Sequence, residues 1–459
     1  MEAYTVKEIA DAVCGELVGD NVVINDITTD STKCAEKSCI FIAIKGERFD
    51  GNDFAQDWLE KADAVLTSKP VTVPQAKAAI IVNDTKKALR NFAKYHLNKY
   101  KVPVIAVTGS VGKTSTKDMI YSVLSKRFNV LKTQGNLNND IGVPLTLFNL
   151  TAKHQMAVLE MGMNNFGEIR LLSGIAPPDV AVITNITTAH IGRLGSTDNI
   201  LRAKLELLEN LSQSGILIAN ADDEKLFALK GTLSHNIRYY GIEKNDADIV
   251  AYNIELDENK SIFTVDIDKK PVIFQINEPG KHLIYNALAA IAAGVYYKIE
   301  PSDITEGIAS YTMGALRQHT SIIGNITIIE DCYNASAASM RAALNVLALK
   351  GKGKRTIAVL GDVLEQGDFS EKEHRQIGDW VADYAVDKLI TVGADAKYIA
   401  AQASARGVAD ITTFENNSQV ADYLFSQTKQ HDVILFKASR GMRLEEISEN
   451  LIILLSSTS

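Results

Sequence analysis

The chain carries little that would tie it to an oxidising compartment, a membrane or a nucleic acid. Its 459 residues include four cysteines, Cys14, Cys34, Cys39 and Cys332, and no second pair joins Cys34 and Cys39 to give a metal-ligand spacing. So few cysteines in a long chain, without a leader, predict free thiols and not a disulfide framework. Residues 1–8, Met-Glu-Ala-Tyr-Thr-Val-Lys-Glu, show no basic segment followed by an apolar one. No apolar run is long enough to span a bilayer, and the short run over 451–455 reads as a packed helix end. A formal net charge of −8 excludes the basic footprint of a nucleic-acid binder. There is no internal repeat and no low-complexity segment. What remains is a cytoplasmic globular protein without membrane insertion, expected as a monomer. Its 46% apolar and 23% charged content is ordinary for that class. Its length suggests roughly two to four domains.

An acidic protein that handles an anionic substrate must gather its positive charge locally. The stretch over 104–116 does so. Val104, Ile105, Ala106, Val107 and Thr108 form an apolar, largely β-branched run that predicts a buried strand. Gly109, Ser110, Val111 and Gly112 make a tight turn, and Lys113, Thr114 and Ser115 open a helix with Met119, Ile120, Val123 and Leu124 on one face. At such a junction, successive backbone N–H groups and the helix dipole point at one anionic spot. Lys113 is expected to reach the terminal phosphates of a nucleotide, and the Thr114 hydroxyl to ligate Mg²⁺. The motif is the short Gly-x-x-Gly-Lys-Thr form: Val107 stands where the longer phosphate loop has its first glycine. Its strand–turn–helix setting carries the reading.

The rest of the chain divides around this stretch. Residues 1–84 alternate a helix over 4–14 with strands over 22–24, 39–44, 64–66 and 79–82, a small α/β domain. Its loops over 29–32 and 45–51 read, taken alone, as turn chemistry. Residues 85–313 form the central domain. A strand over 156–159 delivers Glu160 to the carboxyl edge of a mainly parallel sheet, beside the phosphate loop, where a carboxylate suits Mg²⁺. Between the two runs a polar loop sets Asn136, Asn138, Asn139 and Asp140 between Gly135 and Gly142. A strand over 180–186 leads to His190, which is either structural or part of the same edge. A helix over 198–211 carries Lys204 in the middle of the face formed by Ile200, Leu201, Leu207, Leu208 and Leu211. Such a lysine snorkels to water, pairs with an acid or loses its charge. In the last case the neutral amine can capture CO₂ and, as a carbamate, hold a second Mg²⁺. A β meander over 249–256, 261–266 and 272–276 precedes an alanine-rich helix that contains a polar Asn286. Residues 314–459, after a hinge over 311–320, place strands over 326–330, 356–360, 388–392 and 433–436. Each ends in a polar or glycine loop, the pattern of a doubly wound, Rossmann-like sheet. The expected fold is therefore α/β in three domains.

Several motifs together resemble the Mur ligases of peptidoglycan synthesis. They are Thr108-Gly-Ser-Val-Gly-Lys-Thr-Ser-Thr116, Gly135-Asn-Leu-Asn-Asn-Asp-Ile-Gly-Val-Pro144, Glu160-Met-Gly-Met163, Ile183-Thr-Asn-Ile186 with Ala189-His190, and Arg202-Ala-Lys204. Asp331-Cys-Tyr-Asn-Ala-Ser336, Gly361-Asp-Val-Leu-Glu-Gln-Gly367 and Lys437-Ala-Ser-Arg-Gly-Met-Arg-Leu-Glu445 are similar to those of the member that joins D-alanyl-D-alanine to UDP-N-acetylmuramoyl-tripeptide. The resemblance implies ATP and two Mg²⁺ as cofactors, an acyl-phosphate intermediate and those two substrates as partners. It implies that Lys113, His190 and a carbamylated Lys204 serve catalysis, with Thr114, Glu160, His190 and Lys204 as metal ligands. Gly109 to Ser115 would cradle the phosphates, Asn286 would face adenine and Asp331 the ribose. Ser31, Lys45 and Gly46 would contact the uridine diphosphate, and Asn138, Asn139 and Asn334 the substrates. Four positions depart from the family pattern: Thr32 in place of arginine, Ser336-Ala337 in place of Asn-Pro, and Ala438 in place of glycine.

Other readings fit less. The ligase that adds the third stem-peptide residue carries an Asp-Asn-Pro-Arg signature absent here. The folylpolyglutamate synthetase group shares the short loop but has no α/β domain ahead of it. A P-loop kinase or NTPase leaves Lys204 and the third domain unexplained, and a non-catalytic scaffold predicts decay of the metal set.

Overall fold

The computed structural model describes residues 1–32, 38–46, 48–244, 246–314 and 316–457; Cys34, Glu47 and Ala315 lie outside them. The architecture is α/β, built on three sheets of five, nine and six strands, with a separate two-stranded pairing of Tyr4–Thr5 with Val23–Ile24.

The first sheet runs Glu16–Gly19, Ala78–Ile81, Ala64–Thr67, Cys39–Ile42 and Asp26–Thr28, parallel except for its first pair. The central sheet holds the site. Val104–Thr108 lies between Met156–Glu160 and Val180–Ile183, parallel to both, and all three strands are buried throughout. Burial on both faces is why these segments read as continuous apolar runs and not as alternating ones. Beyond them come Ile216–Asn220 and Asn236–Gly241, and then the antiparallel meander Ile249–Leu256, Ser261–Ile267 and Lys270–Ile276. Helix Lys113–Leu124 covers one face: Met119, Ile120, Val123 and Leu124 are fully buried there with the alanine-rich helix Lys281–Tyr296. The third sheet is ordered His319–Ile323, Ile326–Glu330, Val433–Lys437, Thr356–Gly361, Lys388–Val392 and Ile411–Phe414. Only its first pair is antiparallel.

Some sequence expectations change. The strand expected over 180–186 stops at Ile183, because residues 184 and 185 turn to hold the phosphate loop. The helix expected over 198–211 is an α-helix, Thr197–Leu205, followed by a 3₁₀ segment, Glu206–Asn210. The hinge expected over 311–320 loses its last two residues to the strand that begins at His319. Two of the cysteines, Cys14 and Cys332, are free thiols, as expected.

Helix Thr85–Tyr100, capped by the Asp84 side chain on the Lys87 N–H, packs on both Val6–Val13 and Gly142–Leu147. Its buried His96 ties the chain's first strand to the central sheet's surroundings. Nε2 donates to the Leu150 carbonyl (2.9 Å), so Nδ1 is left to accept from the Tyr4 hydroxyl (2.7 Å). Both nitrogens are satisfied in the neutral ring, and burial pulls the imidazole pKa from 6.5 down to about 4. Below pH 6.5 the unfolded chain therefore binds a proton that the folded one refuses. Stability from this group is complete above pH 6.5 and drains away as pH falls toward 4, by about 3 kcal/mol in all. Urea denaturation at pH 7.5 and pH 5 checks this: His96→Gln should lose stability at pH 7.5 but show a flatter pH dependence.

Candidate functional site

The phosphate loop is held from behind by the neighbouring strand. Thr184 Oγ1 donates to the Val111 carbonyl (2.6 Å), Ser110 N–H donates to Asn185 O (3.0 Å), and Val111 N–H donates to Asn185 Oδ1 (3.0 Å). Gly112, the residue before the helix, takes φ +81°, and a Cβ there would stand 2.8 Å from Asn286 Oδ1. Glycine is required on both counts. Asn286 in turn accepts from Thr116 Oγ1 (3.1 Å), so the alanine-rich helix is tied to the helix that the loop opens through its one buried amide.

Lys113 curls over the loop that it opens. Nζ donates to the carbonyls of Gly109 (2.9 Å) and Ser110 (3.2 Å). Burial lowers its pKa, Glu160 pulls it back up, and Arg317 pushes it down again. Glu160, 3% exposed, ends its strand where the sheet edge meets the loop. Oε2 accepts from Thr114 Oγ1 (2.8 Å) and Oε1 from Asn138 Nδ2 (2.8 Å). A hydroxyl and a carboxylate oxygen in contact are a hard-oxygen pair of the kind Mg²⁺ takes. Lys204 is 1% exposed, and its side chain enters no ion pair or side-chain hydrogen bond among the described residues. Burial, with the like charge of Lys113, drives its pKa well below the ordinary value. Of the three options open to a lysine on an apolar face, burial at 1% exposure removes snorkelling, and the lowered pKa favours the neutral amine. His190, at φ +65°, is pushed toward its neutral form by burial and by Lys113 and Lys204.

The third sheet's carboxyl edge faces this array across a cavity of about 710 Å³. Arg317 reaches from it into the cradle: Nη2 donates to Thr114 Oγ1 (2.9 Å) while the guanidinium lies 4.0 Å over the Tyr333 ring. Lys437, buried at a strand end, donates to Asp331 Oδ2 (2.6 Å) and to the Asn334 carbonyl (3.1 Å).

The Mur ligase middle domain matches residues 107–294, and the Mur ligase glutamate ligase domain matches residues 317–440. The UDP-N-acetylmuramoyl-tripeptide–D-alanyl-D-alanine ligase of Bacillus subtilis (strain 168) is 39% identical over 456 residues, covering 98% of each chain. The chain belongs to the Mur ligase family. Among solved structures, it is similar to MurF from Acinetobacter baumannii (TM-score 0.90, 32% identity, 99% of each chain). It is also similar to MurF ligase from Thermotoga maritima in complex with ADP (TM-score 0.83, 26% identity, 95% of this chain and 98% of that one).

In this Mur ligase the cavity brings together much of the set read from sequence, though its parts differ in state. Ser110 to Ser115, Asn138, Asn139, Glu160, His190, Asn286, Asp331 and Asn334 all line it. Gly109 closes the loop from the strand side, through its carbonyl on Lys113. Lys204 is not a lining residue, although its charge is felt by His190. Ser31, Lys45 and Gly46 belong to loops of the first sheet and do not line the cavity. Among the described residues no three His, Cys, Asp or Glu side chains gather as a metal group. Sequence reasoning missed Arg317 and Lys437 as site residues. Arg317 meets Thr114 from 203 residues away, and nothing local marks it. Lys437 did have a signal, since it ends a strand on the loaded edge.

Proposed function

We propose that this Mur ligase joins D-alanyl-D-alanine to UDP-N-acetylmuramoyl-tripeptide, converting ATP to ADP and phosphate, in the peptidoglycan pathway of the cytoplasm. What supports the reading most is the convergence of a phosphate cradle, Lys113, Lys437 and a strand-end carboxylate on one cavity shared by two sheets, in a chain similar end to end to ligases of that name. Residues 1–84 would carry the uridine diphosphate through Ser31, Lys45 and Gly46, residues 85–313 the ATP, and residues 314–459 the dipeptide. A monomer is the expected state. No helix among the described residues is long and apolar enough to cross a membrane.

The chemistry must bring a carboxylate to a triphosphate. A carboxylate oxygen of the tripeptide attacks the γ-phosphorus, the bond to the β–γ bridging oxygen breaks, and ADP leaves. The dipeptide amine then attacks the acyl carbon, and the tetrahedral species loses a proton and expels phosphate. Lys113 and Arg317 offset the charge gathered at the γ-phosphate, and the loop N–H groups orient it. Asn138 holds Glu160 in place. Bound Mg²⁺ would neutralise the two facing anions, held by Thr114, Glu160, His190 and the carbamate oxygens of Lys204. The contact between Thr114 and Glu160 fits such an ion. A carbamate on Lys204 would add two oxygen donors to that pair.

The test is phosphate release from ATP with each substrate present or absent. Release that requires both, with a pentapeptide product by mass, is the expected result. Release with neither would make the protein an NTPase. Silence here with activity on glutamate and a folate would move it to the folate ligase group.

A further inference from the structure

We propose that Glu365, supplied from the third sheet's edge, is a positioning residue for His190 of the central sheet, so that the imidazole is set for its task only when the two units are docked. The proposal rests on the ligase reading above for what that task is.

Four contacts carry it, all between residues 188–193 and residues 365–373. His190 Nδ1 lies 3.2 Å from Glu365 Oε2. A carboxylate has no proton to give, so Nδ1 carries the hydrogen and Nε2 keeps its lone pair. Arg193 Nη2 donates to the other oxygen, Glu365 Oε1 (3.0 Å), so the carboxylate is gripped on both sides by the unit that it orients. Thr188 Oγ1 donates to Glu373 Oε2 (2.6 Å) beside it. The backbones also meet. A Cβ on Gly192 would stand 2.6 Å from Glu365 O and 2.8 Å from the backbone of Gln366 and Gly367. A side chain there would wedge the units apart. Glu365 itself sits at φ +64°, a conformation that costs a non-glycine residue energy. Its side chain is 44% exposed and serves no core. Its two partners are both on the other unit. A carboxylate that fixes the second nitrogen of a ligand histidine is a recurrent arrangement; here it reaches across an interface, which links docking to the orientation of the ring.

The experiment reads the imidazole ¹⁵N shifts of His190 in the full chain at pH 8, without nucleotide, and separately measures kcat and KM for ATP. The parent should show the Nδ1–H tautomer. Glu365→Ala should shift the ring toward Nε2–H, whereas Glu365→Gln, whose amide oxygen still accepts, should keep Nδ1–H. Gly192→Ala should shift the ring as Glu365→Ala does, without touching either side chain. Glu365→Ala should lower kcat by about 10- to 100-fold with KM for ATP changed by less than about twofold. An Nε2–H ring in the parent, or an unchanged ring in Glu365→Ala, overturns the proposal. If Gly192→Ala fails to fold, the Glu365 pair alone decides. Should the ring respond while the parent releases no phosphate with both substrates, the ligase reading fails and the positioning stands.

Discussion

Replacing Lys204 with methionine lowers turnover by about 10³-fold and leaves the protein folded, with an equal or higher Tm. The two effects come from one fact. Lys204 is 1% exposed in helix Thr197–Leu205, has no counter-charge among the described residues, and feels Lys113 as a like charge. A proton on its amine is therefore costly, and the neutral amine is a nucleophile. Attack of the neutral nitrogen on CO₂ would form a C–N bond, release one proton and leave a carbamate anion in place of the neutral amine. Losing one such electrostatic contribution costs about 10²–10³ in rate, and losing the metal position that a carbamate would supply puts the expected effect at the upper end. The stability effect runs the other way. In CO₂-depleted buffer the unfolded chain takes up a proton at Lys204 that the folded chain resists. The burial therefore costs stability at pH 7, and the cost fades as pH rises toward 10. Methionine removes it, so the Tm gain of Lys204→Met should be largest at neutral pH and shrink at alkaline pH. ¹³C-bicarbonate should give a carbamate resonance in the parent and none in the variant. A variant that turns over normally removes the carbamate from the mechanism.

Lys113→Met lowers kcat by about 10²–10³ while changing Tm little. Its ammonium makes two bonds to the loop that it belongs to, from Gly109 and Ser110, and it packs no core. The loop is held instead by Thr184 and Asn185, neither of which the substitution touches. Arg317 cannot stand in for it, because the guanidinium is committed to Thr114 and stacked on Tyr333. Lys113→Arg should not rescue either: the planar fork does not fit where a compact ammonium sits between two carbonyls. Phosphate release under saturating substrates reads the loss, and a thermal scan checks the fold.

The parts of the molecule legible in its sequence are those whose signals are local. The buried strand Val104–Thr108 and the helix after it announce themselves by apolar runs and period, and Glu160 by its place at a strand end. Lys204 stands out because it breaks a helical face, a local conflict of the kind that marks function. In the two outer sheets the strands passed over are Glu16–Gly19, Asp26–Thr28, His319–Ile323 and Ile411–Phe414, and each is an edge strand. Edges are short, bury less and carry polar residues, so their pattern is thin. Ile216–Asn220 and Asn236–Gly241 are interior strands of the central sheet that were also passed over. The first is an apolar run too short to tell from a helix, and the second is broken by Arg238. What sequence could not supply was pairing at a distance. Asp331 looked free for a ribose, yet one of its oxygens is held by Lys437, 106 residues on. His190 looked like a lone histidine, and its partner is Glu365, from the other unit.

The most direct measurement follows oxygen. The tripeptide substrate is prepared with both oxygens of its reacting carboxylate as ¹⁸O and incubated with D-alanyl-D-alanine, ATP and Mg²⁺ in ordinary water, and the phosphate is analysed by mass. Transfer of the γ-phosphoryl group to the carboxylate leaves one labelled oxygen in each phosphate released and one in the new amide, and that is the expected result. Unlabelled phosphate, at the same yield of ADP, would mean that water and not the carboxylate meets the γ-phosphate, and would contradict ligation through an acyl phosphate.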